Sequence, residues 1–409
     1  MIIHIPTKTI KDGQVHIAAR FELETPRPYL PPELWYRFPE KYAGFISLRS
    51  DAFAATALLV AMYAGEDLKI RGTISPKLAY NLFEYRNVYH TWYPNLFKQV
   101  DIQYDHLAES PQMNEKTAVA TAFSGGVDSF YTLWAHRPEN QPIVEAQVTH
   151  GLFVHGLDLR LDDEENYRAA AGPYSQLFEE LGLELILAAT NAYQFSEFRI
   201  NWTMFNGVPL IGAALLLSPW MRRFYAPSGL PFYRKHLPHG TSPVLDHLLS
   251  TESTEIVHHA ASVRRYDKVA ALTTWPASYH KLRVCSDKVQ MSGLNNCSAC
   301  HKCYRTMILL EQLDALPNYK SFSSKLTPKD YLRWGALTHL NLDIAIVARD
   351  QAFKNGRFGM GLWMQIAIIL RVISKFSIES LKKLLPKELL YSLKRRVYRP
   401  ETNTEAREK

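Results

Sequence analysis

Short apolar runs and amphipathic segments alternate through the middle of the chain. TAVATAF, THGLFVHG and LELILAAT have the length and composition of buried strands, whereas SFYTLWA and ENYRAAAGPYSQLFEELG carry apolar residues at helical spacing. Strands that alternate with helices predict an α/β fold with a doubly wound parallel sheet. Ligands bind such sheets at the carboxyl ends of the strands, so the loops after these runs are where chemistry is expected.

The first 115 residues show a different pattern. They open with the alternating run VHIAARFELE and continue with two helical segments, DAFAATALLVAMYAG and SPKLAYNLFEYRNVYHTWYP. Ser50 or Asp51 is the expected N-cap of the first helix. The pattern predicts a small N-terminal α+β domain over residues 1–115. Aromatic side chains such as Tyr85 and Tyr89 are expected in its core, with a ligand-binding face as the alternative.

Residues 317–409 predict a helical, basic C-terminal extension. The segment FSIESLKKLLPKELLYSLKRRVYRP is apolar on one side and basic on the other, and Pro386 interrupts it, which predicts short amphipathic helices. Residues 354–409 hold 13 Lys and Arg and 5 Glu, a net +8, so the formal charge of +7 leaves −1 for the rest. Such a tail suits RNA, an acidic protein or an anionic membrane surface as partner. The alternative for the charged residues is a solvated face, and the alternative for the amphipathic helices is packing on the core.

The overall composition is that of a globular protein with room for two or three domains. Of 409 residues, 47% are hydrophobic and 21% are charged. The amino terminus has no basic stretch followed by a sustained apolar run, so no secretion signal is expected. The most apolar late segment, MGLWMQIAIIL, has about half of the roughly 20 residues that a membrane-spanning helix needs. A cytoplasmic protein without a membrane span is therefore expected.

All four cysteines fall within one short segment, VCSDKVQMSGLNNCSACHKCYRTM. They are Cys285, Cys297, Cys300 and Cys303, and the last three form C-x-x-C-x-x-C. Two-residue spacers let neighbouring thiolates converge on one ion, so the cluster predicts a structural Cys₄ zinc site, with disulfides as the competing explanation. His301 lies inside the segment and is expected to point to solvent rather than to displace a thiolate.

A second cluster follows the first predicted strand of the parallel sheet, as the sequence SGGVDS. Its residues are Ser124, Gly125, Gly126, Val127, Asp128 and Ser129. The glycines permit positive φ and close approach of an anion to the backbone, whose N–H groups form a nest at the start of the next helix. Asp128 would repel a polyphosphate unless a divalent cation lay between them, so the loop predicts Mg²⁺ with a nucleotide. It lacks the lysine of the ordinary P-loop, G-x-x-x-x-G-K-[ST].

In this strand–loop–helix context the sequence resembles the S-G-G-x-D-S signature of the PP-loop ATP pyrophosphatases, which have an adenine nucleotide alpha hydrolase-like fold. The resemblance implies cleavage of ATP between its α and β phosphates, an adenylated substrate oxygen and released pyrophosphate. With the cysteine cluster, it narrows to the 7-cyano-7-deazaguanine synthase-like branch, in which four thiolates hold a structural zinc. The resemblance covers residues 116–316, about half of the chain, and predicts a PP-loop domain with these bounds.

The chain also departs from that family. More than 100 residues precede the loop, and the gap between the first two cysteines is longer than the family's. The substrate is therefore not carried over from the resemblance. Divergent relatives in antiviral gene clusters form a second group that the chain resembles, and for them a protein acceptor is the expectation.

Three further groups of polar residues are candidates for a functional role. The loop LPHGTSPVLDHLLSTES offers an acceptor site or a second metal contact, or is an ordinary capped loop, with His239, Gly240, Ser242, Asp246 and Glu252. Basic residues of SVRRYDKVAAL would neutralise departing pyrophosphate, or form a solvated helix face; they are Arg264, Arg265 and Lys268. Asp158 and Arg160 follow the second strand. Asp128 and Lys268 are the predicted catalytic residues.

These residues predict a Mg²⁺- and ATP-dependent enzyme that activates a carbonyl or carboxylate oxygen of an unidentified acceptor by adenylation. If zinc takes every thiol, none is left for sulfur transfer, and no amino-terminal cysteine is present to release ammonia, so the nucleophile is expected to be free or partner-delivered ammonia or an amine. Two alternatives stay open. One is an RNA-modifying enzyme that uses the same chemistry, and the other is a non-catalytic nucleotide-binding scaffold.

Overall fold

A computed structural model describes residues 1–27, 30–109, 118–196, 200–231, 238–285, 293–322, 325–336 and 342–384. These residues form eleven strands and twelve α-helices. The strands are β1 (Ile2–Ile3), β2 (Thr7–Lys11), β3 (Gln14–Glu22), β4 (Glu33–Pro39), β5 (Leu68–Ile74), β6 (Ile102–Leu107), β7 (Ala118–Ala122), β8 (His150–His155), β9 (Glu184–Thr190), β10 (Met221–Pro227) and β11 (Glu255–His259). The helices are α1 (Asp51–Ala64), α2 (Pro76–Trp92), α3 (Val127–Ala135), α4 (Glu164–Glu180), α5 (Tyr193–Ser196), α6 (Trp202–Phe205), α7 (Gly207–Leu215), α8 (Arg265–Thr273), α9 (His301–Gln312), α10 (Pro328–Ala336), α11 (Leu342–Lys354) and α12 (Phe358–Leu384).

The described strands join one sheet in the order β11–β10–β7–β8–β9–β4–β3–β1–β5–β6, with β2 paired to β3. Neighbours are parallel from β11 to β9 and from β1 to β6, whereas β4 and β3 pair antiparallel with their neighbours. The sheet is thus mostly parallel, and the predicted α/β class is confirmed at that level. Chain order reverses at β7, since β8 and β9 lie on one side of it and β10 and β11 on the other. Such a reversal opens a crevice at the carboxyl ends of the diverging strands.

The chain divides into two compact units. One contains Met1–Cys297 and Ala315–Ser324, which include the sheet and α1 to α8, and the other contains Ser298–Asp314 and Lys325–Lys409, which include α9 to α12. Within the first unit a hydrophobic core runs from Met1 to Ile256 in β11. The three-part division with boundaries near 115 and 316 stays a prediction.

The helices of the N-terminal region form where their sequence pattern predicts them. Ser50 is the N-cap residue of α1, but its Oγ donates to the carbonyl of Arg71 at 2.7 Å instead of capping the helix. Asp51 is 2% exposed and accepts a 2.7 Å hydrogen bond from the backbone N–H of Ser75, which starts α2. These side chains therefore tie α1 to its neighbours. Tyr85 and Tyr89 are at most 1% exposed, which confirms them as core residues.

The last described helix is longer than the sequence predicts. α12 spans 27 residues, so MGLWMQIAIIL and the first part of FSIESLKKLL form one continuous helix instead of separate short ones. The residues that join the two segments include neither proline nor glycine, so nothing in them ends the helix. Pro386 and the remainder of the basic tail lie outside the described residues. None of the helices in the described ranges is both long and apolar enough to cross a membrane.

Candidate functional site

The SGGVDS loop lies at the carboxyl end of β7, where chain order reverses. All five residues of β7 are buried, and α3 begins at Val127 with Gly126 as its N-cap. First-turn N–H groups have no acceptor within a helix, and together with the helix dipole they favour an anion at this position. The strand, the loop and the helix thus lie where the hydrophobic pattern predicts them.

The conformation of the loop depends on Gly125. Its φ is +76°, in the left-handed region, and a Cβ placed on it would lie 1.6 Å from Oη of Tyr174. Tyr174 lies on α4 and is fully buried, so its ring cannot move aside without disturbing the core. Burial also raises the pKa of the Tyr174 hydroxyl above its ordinary value. Glycine is therefore required here by both backbone conformation and space.

Asp128, the carboxylate of the loop, lies against two cations from α8. Its Oδ2 accepts from Arg265 Nη1 at 2.8 Å, and its Oδ1 accepts from Lys268 Nζ at 3.0 Å. Two neighbouring positive charges balance this carboxylate within the protein. The repulsion argument that predicted Mg²⁺ from Asp128 therefore loses its force, because arginine and lysine already supply the opposing charge.

Lys268 links the first turn of α3, which follows β7, to the residue that follows β10. It is 2% exposed, and its Nζ also donates to the backbone carbonyl of Ser228 at 2.5 Å, just after β10 ends. A buried ammonium with two anionic or dipolar acceptors is not a solvated side chain, so the alternative of a solvated helix face is wrong for Lys268. Arg264 is exposed and precedes α8.

A cavity of about 220 Å³ lies beside the loop. Ser124, Asp128 and Ser129 form part of its polar wall, and Asp158 contributes another carboxylate. Apolar side chains line the rest, among them Phe153, Leu157, Leu159, Trp202 and Leu210. A lining that combines polar groups with apolar surface suits a ligand with an anionic and an apolar part. Arg160, the other residue predicted near Asp158, lies instead over the ring of Tyr193 at 3.4 Å.

In the polar loop between β10 and β11, one group of residues surrounds the Asp246 carboxylate. Thr241 lines the cavity and donates to Asp246 Oδ2 at 2.6 Å; His258 Nδ1 lies 2.7 Å from the same oxygen. Asp246 also accepts from the backbone N–H of Ser242, while the His239 ring lies 3.0 Å from the Thr241 carbonyl, beyond Gly240. Burial lowers the pKa of His239.

Glu252 does not join this group. It accepts from the backbone N–H of Lys77 at 2.7 Å, at the start of α2. The sequence therefore placed one residue of the predicted polar cluster wrongly, because spacing along a loop does not show where the loop turns.

A pair of histidines lies behind α3. His259, the last residue of β11, approaches Thr132 Oγ1 at 3.0 Å and the ring of His136 at 4.4 Å between centroids. Burial lowers the pKa of His259 to about 3, and electrostatic repulsion from Lys268, and from His136 and His258 whenever they are protonated, acts in the same direction. Burial also lowers the pKa of His136. Both rings are therefore neutral in the folded protein near pH 7.

This burial predicts acid sensitivity. Below pH 6.5 the unfolded chain protonates His259, whereas the folded chain does so only near pH 3, so the free energy of unfolding should fall as pH drops through that window. The expected slope for this one group is about 1.4 kcal/mol per pH unit. Urea unfolding of the wild type and of His259→Asn between pH 4 and pH 7 measures how the free energy of unfolding changes with pH. In the variant this dependence on pH should be smaller by the contribution of one proton. His280→Asn, at an exposed position, is the control, and equal slopes for all three proteins would contradict the prediction.

Arg283 is a site residue that sequence reasoning missed. Its backbone N–H donates to the carbonyl of Gly125 at 2.8 Å, and its Nη1 lies 3.5 Å from the carbonyl of Ser124. The side chain is 7% exposed, and within the described residues its Nε has no hydrogen-bond partner. A buried guanidinium behind the loop adds positive charge near the predicted phosphate position. The only sequence signal was its position two residues before Cys285.

The four cysteines converge as their spacing predicts. Their sulfur atoms all lie within 4.8 Å of one another, and none is in a disulfide. Tetrahedral zinc with Zn–S bonds of about 2.3 Å places its sulfurs about 3.8 Å apart, so the cluster can hold a zinc ion. Asn296 supports it by accepting from the backbone N–H groups of Val284 and Cys285 at 2.8 and 3.0 Å. In the described residues His301 begins α9 and is not part of this group.

Comparison of the chain with protein-family models, with curated proteins and with solved structures finds no match. The functional assignment therefore rests on the residues of the site and their chemistry.

Proposed function

We propose that this protein is an ATP-dependent adenylating enzyme of the PP-loop type. A carbonyl or carboxylate oxygen of the acceptor attacks the α phosphorus of ATP, the bond from that phosphorus to the bridging oxygen breaks, and pyrophosphate leaves. Ammonia or an amine then attacks the activated carbon, loses a proton and displaces AMP. The acceptor is a small molecule or a macromolecule with such an oxygen.

One observation carries the proposal. A glycine-containing loop joins the end of a buried parallel strand to the start of a helix at the point of strand reversal, beside a cavity with polar and apolar walls. That arrangement supports phosphate binding through backbone N–H groups, with the apolar wall available to a base. The S-G-G-x-D-S resemblance supports ATP as the nucleotide.

The charged residues have separate roles in the proposed reaction. Arg265 and Lys268, which contact Asp128 of the loop, would neutralise charge on leaving pyrophosphate, and the Arg283 guanidinium beside the Ser124 carbonyl adds to the positive charge there. Asp128 holds these two side chains in place, and Asp128 and Asp158 are carboxylates of the cavity lining that would hold Mg²⁺, which when bound would offset phosphate charge. Ser124 and Ser129 line the cavity and would bring their hydroxyl groups to the phosphates.

Calorimetric titration with α,β-methylene ATP, with and without Mg²⁺, tests nucleotide binding without knowledge of the acceptor. The metal-loaded wild type should bind, and Asp128→Asn should bind about tenfold or more weakly when Mg²⁺ is present. Without Mg²⁺ the variant should bind at least as well as the wild type, because Arg265 and Lys268 lose their anionic partner. This difference separates a carboxylate that holds Mg²⁺ from one that only pairs with cations.

Asp267→Asn is the matched control, since it removes an exposed carboxylate next to Lys268. It should leave both titrations unchanged. Failure of the folded, metal-loaded wild type to bind the analogue would refute the enzyme proposal and the nucleotide-binding scaffold alike.

A further inference from the structure

One side of α12 is apolar although it faces solvent. Six residues spaced along one side of the helix are between 40% and 65% exposed: Phe358, Leu362, Ile366, Ile369, Leu370 and Ile373. Their positions, mostly three or four apart, place them on one face of the helix, called here the outer face of α12. A surface helix ordinarily carries polar residues on its solvent side. A contiguous exposed apolar face of this kind marks an interaction site.

The opposite side of α12 is already used for packing. Met364, Ala367 and Ile368 are at most 6% exposed, and α12 packs on α10 and α11. The outer face is therefore not the side that holds the helix in its own unit, and it is apolar for another reason.

The positive charge of the sequence that follows the outer face indicates the chemistry of the partner. Residues 371–399 contain nine Lys and Arg and two Glu, a net charge of +7. Basic residues that accompany an exposed apolar helix face are the pattern of an interfacial helix, which buries its apolar face at the acyl boundary while the cations meet anionic headgroups.

We propose that the outer face of α12 docks on an anionic lipid surface, to which the net positive charge of the sequence from 371 to 399 attracts the chain. A second copy of the chain would bring two strongly basic segments together, so repulsion disfavours that occupant. RNA would attract the basic residues but offers no apolar surface to the outer face. The proposal does not depend on the adenylation chemistry.

Vesicle flotation with the full chain tests the proposal. Vesicles of phosphatidylcholine with phosphatidylserine should bind the protein, while vesicles of phosphatidylcholine alone should bind it about tenfold or more weakly, and high salt should remove most of the difference. The double variant Leu362→Asp, Ile366→Asp should lose about tenfold or more of the binding, because both residues lie on the outer face.

The double variant Ile143→Asp, Val144→Asp is the control, since it alters two apolar residues that are 59% and 68% exposed elsewhere in the chain. It should bind vesicles as the wild type does, and circular dichroism checks that all proteins are folded. Light scattering in the absence of lipid shows whether a second copy covers the outer face. The proposal would be overturned if the wild type bound neither kind of vesicle, or if the control variant lost as much binding as the Leu362, Ile366 variant. It would also be overturned if the wild type formed a dimer that the Leu362, Ile366 variant did not form.

Discussion

Replacing Gly125 with alanine should destabilise the protein by about 3 kcal/mol or more and abolish nucleotide binding. The new Cβ would lie 1.6 Å from Oη of Tyr174 and 2.3 Å from its Cζ, and the backbone at φ +76° disfavours any side chain. Overpacking of a rigid core costs about 1 to 3 kcal/mol, and the left-handed conformation adds about 1 to 2 kcal/mol. Urea unfolding measures the stability, and titration with α,β-methylene ATP measures the binding.

Two glycine controls separate the contributions to this effect. At Gly126, φ is −81° and the nearest atom to a new Cβ is Ser124 Oγ at 3.4 Å, so alanine there should cost only about 1 kcal/mol or less, as a poorer N-cap residue, while its methyl group reduces the space for an anion beside the backbone. At Gly172 in α4 a Cβ meets nothing within 4 Å, so alanine should stabilise the helix by about 0.5 to 1 kcal/mol. Equal midpoints of urea unfolding for Gly125→Ala and Gly126→Ala would show that Tyr174 does not require glycine at position 125.

The central strands could be predicted because their signal is local. AVATA, HGLFVH and ELILAAT are short apolar runs, and the loop and helix after the first of them contain residues with strong conformational preferences. The pairing of β4 with β9 could not be predicted in this way. This pairing places Tyr36 opposite Thr190. Two hydrogen bonds strengthen it: the backbone N–H of Trp35 donates to Asn191 Oδ1 at 2.9 Å, and Thr190 Oγ1 donates to the carbonyl of Trp35 at 2.7 Å. Such long-range contacts leave no periodic signal in either segment.

The candidate site shows the same distinction. Gly125 and Asp128 were apparent because their residue types are unusual directly after an apolar run. Tyr174 and Arg283 were not, because a tyrosine in an amphipathic helix and an arginine before a cysteine have many ordinary roles. Both residues act through contacts that form only on folding. Tyr174 fills the space beside Gly125, and Arg283 bonds to carbonyls of the loop.

Replacing one of the four clustered cysteines should remove the zinc that the cluster could hold and lower the stability of the protein. Cys303 is 0% exposed, and serine at this position keeps the size of the side chain but offers a hydroxyl, which is a poor ligand for zinc. Because metal binding free energy adds to folding free energy, Cys303→Ser should contain about tenfold less zinc and unfold at a clearly lower temperature. Elemental analysis of the purified protein and thermal unfolding with and without a chelator measure both effects.

Thr306→Ala is the matched control. Thr306 is likewise 0% exposed and lies on the same helix, α9, but it has no thiolate, so its loss should reduce stability while zinc content stays unchanged. Full zinc content in Cys303→Ser, or a chelator without effect on the wild type, would contradict a metal site at these cysteines. Loss of zinc should also weaken nucleotide binding, because Arg283 lies two residues before Cys285 and its N–H donates to the carbonyl of Gly125 at 2.8 Å. If Cys285 binds the metal, loss of the metal would free the segment through which Arg283 contacts the SGGVDS loop.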